Sequence, residues 1–307
     1  MTGSIDFNNY SEEDFVKFAL DSLKYEIKNQ REQEILGKTR LIKFIVLIAE
    51  EVGYTNLTYG WYRNGYYCPS IYDILLQKNI NNLSSYVCEH VKSNDKQRKI
   101  VNNAIAKYKD IFLRDAERFF DWVYRVKSPK QYRKFYSNYY KFTNDLKILS
   151  QILTKGQVNE NHLAKIENDI TNYYEGLTHV DEDTFSVFCD FTDILEAMNI
   201  SLRYNKNKQK ISNVFDELIS IHNRLYTFLT PYTQTLVGPK KEIVIENFIK
   251  DRNMEISGIS NELKKLEIDL RKQSLWPSHE EMIEYTKKLS AEFKPQEIKE
   301  IEKALLS

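Results

Sequence analysis

Lys38-Thr39-Arg40-Leu41-Ile42-Lys43-Phe44 opens a stretch, running to Leu76, whose reading decides the fold. Leu41, Phe44, Ile45, Ile48 and Val52 recur at steps of three and four, the repeat of one helix face. Gly53 is a natural stop, because the residue just past a helix often needs positive φ. Leu57, Tyr59 and Trp61 then alternate with Thr58, Gly60 and Tyr62, the period of a half-exposed strand. Arg63-Asn64-Gly65 supplies turn residues that tolerate left-handed backbone angles. Pro69-Ser70 followed by Asp73 has the spacing of a capping box, so a helix through Ile71, Ile74 and Leu75 is expected to start there. The order is helix, strand, aromatic turn, capped helix.

The run Tyr59-Gly60-Trp61-Tyr62-Arg63-Asn64-Gly65-Tyr66-Tyr67-Cys68-Pro69-Ser70-Ile71-Tyr72 resembles the core of the Panacea (SocA-like) antitoxin domain. It is also similar to related uncharacterised prokaryotic winged-helix proteins. The resemblance spans residues of about 38–78 and departs from the family turn in one respect: Tyr66 follows Gly65, and the proline comes at Pro69. Those families continue into a second helix and a β-wing, where this chain has an Asn- and Ser-rich run, Asn79 to Ser85, and an expected short helix through Val91. The resemblance implies a DNA-binding or partner-binding regulatory module and no enzyme.

Outward from this stretch, 307 residues with 42% hydrophobic and 13% aromatic content are ample for packed cores and argue against disorder. Nine glycines and six prolines favour helices over many-turned β structure. Lys plus Arg and Asp plus Glu balance at 44 each, so only their distribution can speak about a polyanionic partner. Cys68, Cys88 and Cys189 are odd in number and far apart, which fits a reducing cytoplasm. No apolar run is long enough to cross a bilayer, and Met1 to Phe7 lacks the features of a secretory signal.

Ser11 is expected to cap a first helix, followed by an acidic stretch to Glu34. A long helix is expected from Asp95 to about Val126, broken by Ser128-Pro129. Further helices are expected from Pro129 to Leu153, from Asn159 to Tyr174, from Asp181 through Met198, and from Ile211 to Leu229. Thr230 to Lys241, with Gly238-Pro239, reads as a linker. Ile245, Ile249, Arg252, Ile256, Ile259, Leu263, Leu266 and Leu270 keep a heptad register. That register reads either as a dimerisation coil or as a helix folded back as core. Ser278 and Glu281 cap a short helix, and Pro295 begins another.

The division expected is a winged-helix-like module over 1–92, a helical domain over 93–230 and a coiled-coil-like arm over 231–307. The fold class is mainly α, with a short strand element in the first module.

No glycine-rich phosphate loop and no His-Glu-x-x-His pair occurs. Cys68, Cys88 and His90 could cluster, but buried thiols and a surface imidazole explain them without a metal. Asp115 falls on an otherwise apolar helix face beside Tyr108, Ile111 and Phe119, where a carboxylate needs a partner. Charge distribution says more. Lys96 to Lys147 holds fourteen Lys and Arg against five acids, and Ile148 to Ile200 holds two Lys against ten acids. Lys107, Arg114, Arg118 and Arg125 lie at steps of seven, four and seven, and Lys130, Lys134 and Lys141 repeat the device on the next helix. Two such rows could follow a phosphate backbone, with Arg63 adding a contact from the aromatic turn. The competing explanation is solvated surface, or packing against the acidic segment.

These readings give a non-enzymatic nucleic-acid-binding or regulatory protein, or alternatively an adaptor or antitoxin-like component holding a partner protein. A homodimer would form through residues 243–273. No cofactor, no catalytic residue and no membrane partner is expected.

Overall fold

The computed structural model describes residues 7–204 and 206–292, so the expected helix from Pro295 and the end of the arm lie outside the described residues. In chain order the helices are α1 (Glu12–Glu26), α2 (Gln30–Ile35), α3 (Lys38–Val52), α4 (Pro69–Gln77), α5 (Asp95–Phe112), α6 (Ala116–Trp122) and α7 (Arg133–Thr154). They continue with α8 (Glu160–Tyr174), α9 (Glu182–Arg203), α10 (Lys208–Leu229), α11 (Tyr232–Thr235), α12 (Lys241–Lys272) and α13 (His279–Glu292). Strands β1 (Gly60–Tyr62) and β2 (Gly65–Tyr67) form an antiparallel hairpin between α3 and α4. The protein is mainly α-helical, as the periodicity predicts.

Contacts gather into two compact units, each made of two separated segments. The first runs up to Ser137 and adds Thr230–Arg252. The second is Asn138–Leu229 with the chain from Asn253 onward.

The first unit is built around α3. Every residue from Leu41 to Ala49 is buried, so the middle of this helix has no wet face. Phe44 stacks on Phe112 of α5 at 4.2 Å between centroids, and Phe15 of α1 stacks on Tyr54 at 3.9 Å. Gly53 closes the helix as expected. The start of α4 differs from the capping box read in the sequence. Cys68 occupies the cap without a side-chain bond, and Pro69, whose missing N–H costs nothing there, begins the helix.

Two further expectations are corrected. The helix from Asp95 stops at Phe112, where the Arg40 guanidinium donates to the Phe112 carbonyl and, at 2.7 Å, to that of Arg114. A cation on the last carbonyls of a helix is favoured by their aligned dipoles. Asp115 is exposed and serves as the cap of α6, accepting from the Arg118 N–H at 2.9 Å. Residues 86–94 are not helical, because Asp21 accepts from the N–H groups of Glu89 and Val91, both at 3.0 Å.

The segment read as a linker is tied to the hairpin instead. Tyr59 and Val237 exchange two backbone bonds, of 3.1 and 2.9 Å, the Trp61 N–H donates to Thr235 Oγ1, and the Lys240 N–H donates to Thr58 Oγ1. These bonds cover the open edge of β1, which unpaired would invite association with another chain.

In the second unit, His222 is buried among Phe142, Tyr173 and Phe191. Ile256, Ile259, Leu263, Leu266 and Leu270 of α12 are buried, and Arg224 of α10 binds Glu255 and Glu262 at 2.7 Å each. This part of the heptad register therefore serves as core within the chain.

Gly238 has φ of +109°, and a Cβ there would come within 2.1 Å of the Leu57 carbonyl oxygen; at Gly53, with φ of +72°, it would meet nothing within 4 Å. Gly53→Ala should cost about 1–2 kcal/mol, the left-handed penalty alone. Gly238→Ala adds overpacking of about 1–3 kcal/mol. Urea denaturation of the two variants should rank them in that order.

Candidate functional site

The hairpin, the first turns of α3 and Tyr72 of α4 border a half-open cavity of about 210 Å³ lined by Lys38, Thr39, Ile42, Lys43, Tyr62, Arg63, Asn64, Gly65, Tyr66, Tyr67 and Tyr72. Three cations stand in this lining and no carboxylate does. Arg63 and Asn64 form the connection of the hairpin, and of the three turn residues only Gly65 takes positive φ. A Cβ on Gly65 would stand 3.1 Å from Lys43 Cε and 2.8 Å from Val123 Cγ1, so the missing side chain is what lets the lysine stem pass.

Lys43 is 3% exposed. Most buried lysines slide the ammonium along their stem to water, but the enclosed middle of α3 offers no such exit. Its Nζ lies 3.4 Å from the Thr39 carbonyl and 3.5 Å from the Tyr66 carbonyl, the outer limit of hydrogen bonding. Among the described residues it makes no ion pair. Burial pushes this amine down to about 7. Burial likewise pushes the Tyr66 and Tyr67 phenols up, so both remain neutral hydroxyls at physiological pH.

Of the cations singled out in the sequence, Arg63 lines the cavity and the others are distributed. The helix break separates Lys107 on α5 from Arg118 on α6, with Arg114 between them and Arg125 in a π turn, so the four do not share one helix face. Lys107 binds Glu51 at 2.7 Å, Arg118 binds Asp115 at 3.5 Å and Arg125 binds Asp121 at 2.6 Å. Lys141 binds Asp169 at 2.5 Å, a carboxylate of the following acidic segment. Lys134 is exposed in the first turn of α7. Arg114 and Lys130 are exposed and make no ion pair among the described residues.

Lys38 and Lys43 were not singled out in the sequence. Lys43 carries a faint signal there, as the one charged residue inside the apolar run from Leu41 to Ala49. A second cavity, of about 410 Å³, is lined among others by Asp21, Lys24, Cys88, His90 and Arg98. Cys68 is buried beside Ser70 instead, and among the described residues no three His, Cys, Asp or Glu side chains gather as a metal set. No described helix is long and apolar enough to cross a membrane.

Comparison with protein-family models, with curated proteins and with solved structures gives no match.

The Lys43 amine sets a pH dependence whose sign follows from proton binding. The unfolded chain binds its proton up to the ordinary value of 10.5, the folded chain only up to about 7, so stability rises as pH climbs between those limits. Below 7 the full penalty of burying the ammonium is present. Lys43→Met should raise stability by roughly 2–4 kcal/mol at pH 6.5, and the gain should fade toward pH 10. Urea titrations at stepped pH measure it; a gain independent of pH contradicts the assignment.

Proposed function

We propose that this chain is a non-enzymatic nucleic-acid-binding or regulatory protein whose phosphate contacts centre on the aromatic hairpin. What supports the reading is a cavity bearing Lys38, Lys43 and Arg63 with no carboxylate in its lining. Cations around a concave surface attract polyanions, and each phosphate neutralised releases counterions and adds affinity. Tyr62, Tyr67 and Tyr72 line the same cavity and offer faces on which bases stack. Arg114 and Lys130 are further exposed cations of the first unit. The winged-helix-like character of the first module, and the resemblance of residues 59–72 to the Panacea antitoxin core, belong to the same proposal.

The ion pairs of Lys107, Arg118, Arg125 and Lys141 move the weight of this reading from the helical rows to the hairpin. A partner protein as ligand is the alternative, and it demands a stoichiometric companion on purification.

Fluorescence anisotropy with labelled DNA and RNA oligonucleotides at 50–300 mM salt decides between them. Binding should weaken steeply with salt. Lys38→Glu and Arg63→Glu should each cost about tenfold or more at low salt, while Lys272→Glu, on the second unit, leaves affinity unchanged. If no oligonucleotide binds at the lowest salt, the nucleic-acid reading falls.

A further inference from the structure

The hairpin cavity also bears on which part of a nucleic acid it meets. At about 210 Å³ it is smaller than the pockets of about 300–1,000 Å³ that enclose a whole drug-sized ligand, so it takes one end of a ligand. Lys43 is 3% exposed and belongs to the lining of the cavity. An internal phosphodiester has a chain leaving from both sides and stays at the surface. A terminal phosphate has one stem and carries nearly two negative charges at neutral pH. Lys38, Lys43 and Arg63 supply the matching positive charge, and the Tyr67 hydroxyl, held neutral, supplies a donor. Beyond the cations, the rings of Tyr62, Tyr67 and Tyr72 stand in a row, with centroids 5.2 Å and 6.0 Å apart.

From this arrangement we infer that the cavity seats the terminal phosphomonoester of a nucleotide, with Lys38, Lys43 and Arg63 around the phosphoryl oxygens and the tyrosine row beside the base. The inference rests on the phosphate-binding reading of the same hairpin and narrows it. Its two sources are a free nucleoside monophosphate and the phosphorylated end of a strand.

The enclosed lysine gives the seat a signature that surface binding lacks. In the empty cavity burial holds the Lys43 amine at about 7. A phosphate beside it restores the charged form, so binding above that pH captures a proton. The groups facing Lys43 from α3, the hairpin and α4 are Lys38, Thr39, Tyr62, Arg63, Tyr66, Tyr67 and Tyr72, with no carboxylate among them to supply the proton. Glu50, further along α3, is engaged with the Tyr59 hydroxyl at 3.2 Å and faces the Tyr66 hydroxyl.

Isothermal titration calorimetry at pH 8, in two buffers of different ionisation enthalpy, tests this. The ligands are AMP, inorganic phosphate, and one short DNA strand with 5′-phosphate, 3′-phosphate or hydroxyl ends. AMP or a phosphorylated strand should bind at least about tenfold tighter than the hydroxyl strand and take up close to one proton. Lys43→Met should abolish the uptake and Arg63→Gln should weaken binding with the uptake kept. A preference for a phosphorylated strand over AMP assigns the seat to strand ends, and the reverse assigns it to free nucleotide. Equal binding of all three strands without proton uptake, and no binding of AMP, overturns the seat while leaving nucleic-acid binding intact. AMP binding with no strand binding removes nucleic acid as the partner and keeps the seat. Inorganic phosphate binding as tightly as AMP overturns the nucleotide assignment.

Discussion

A helix whose middle has no wet face imposes the central constraint on this protein. From Leu41 to Ala49, α3 is enclosed by α1, α4, α5 and the hairpin, and each neighbour is placed by what it must cover. Burying an aliphatic side chain of this kind stabilises by about 1.5–3 kcal/mol. The exception in the run is Lys43, whose burial opposes that gain. Its stem passes beside Gly65 and its amine finds only two distant carbonyls, so the hairpin that completes the core also walls the cavity. Core and candidate site thus come from the same packing.

The second unit handles charge differently. Lys141 and Lys165 cross-pair with Asp169 and Asp145, whose side chains are 1% and 4% exposed. Burial pushes the Asp169 carboxyl up against the opposing pull of Lys141. Burial acts in the same direction on Asp145, where the Lys165 ammonium overrides it and holds that carboxyl low. Buried charges with partners are costly to break one at a time. Here the swing from a basic to an acidic stretch is partly answered inside the molecule.

Much of the helical order was legible because its punctuation is local. Ser11, Asn159 and Asp181 each cap the helix that follows, and Ser278 and Glu281 exchange bonds as a capping box. Gly53 and Gly156 stand at helix ends with positive φ. What escaped reading depends on distant partners. The break after Phe112 is secured by Arg40, 72 residues earlier in the chain, and the extended run near Val91 by Asp21. Periodicity alone carried the apolar face across Asp115 and made one helix of two. The candidate site was legible only in part: Arg63 in its aromatic turn could be picked out, but the burial of Lys43 shows in the sequence only as one charge inside an apolar run.

The edge of β1 is completed by Thr235 and Val237, and the Trp61–Thr235 bond closes a sequence separation of 174 residues. A ribosome adding about 5–20 residues per second needs roughly ten to thirty seconds to cross that distance. Through that interval the nascent hairpin presents bare amides and aromatic rings, while the whole insert up to Leu229 is made first. The last stitch of the N-terminal unit is therefore a late event of translation, and the emerging chain must be kept from strangers until its own distal segment arrives.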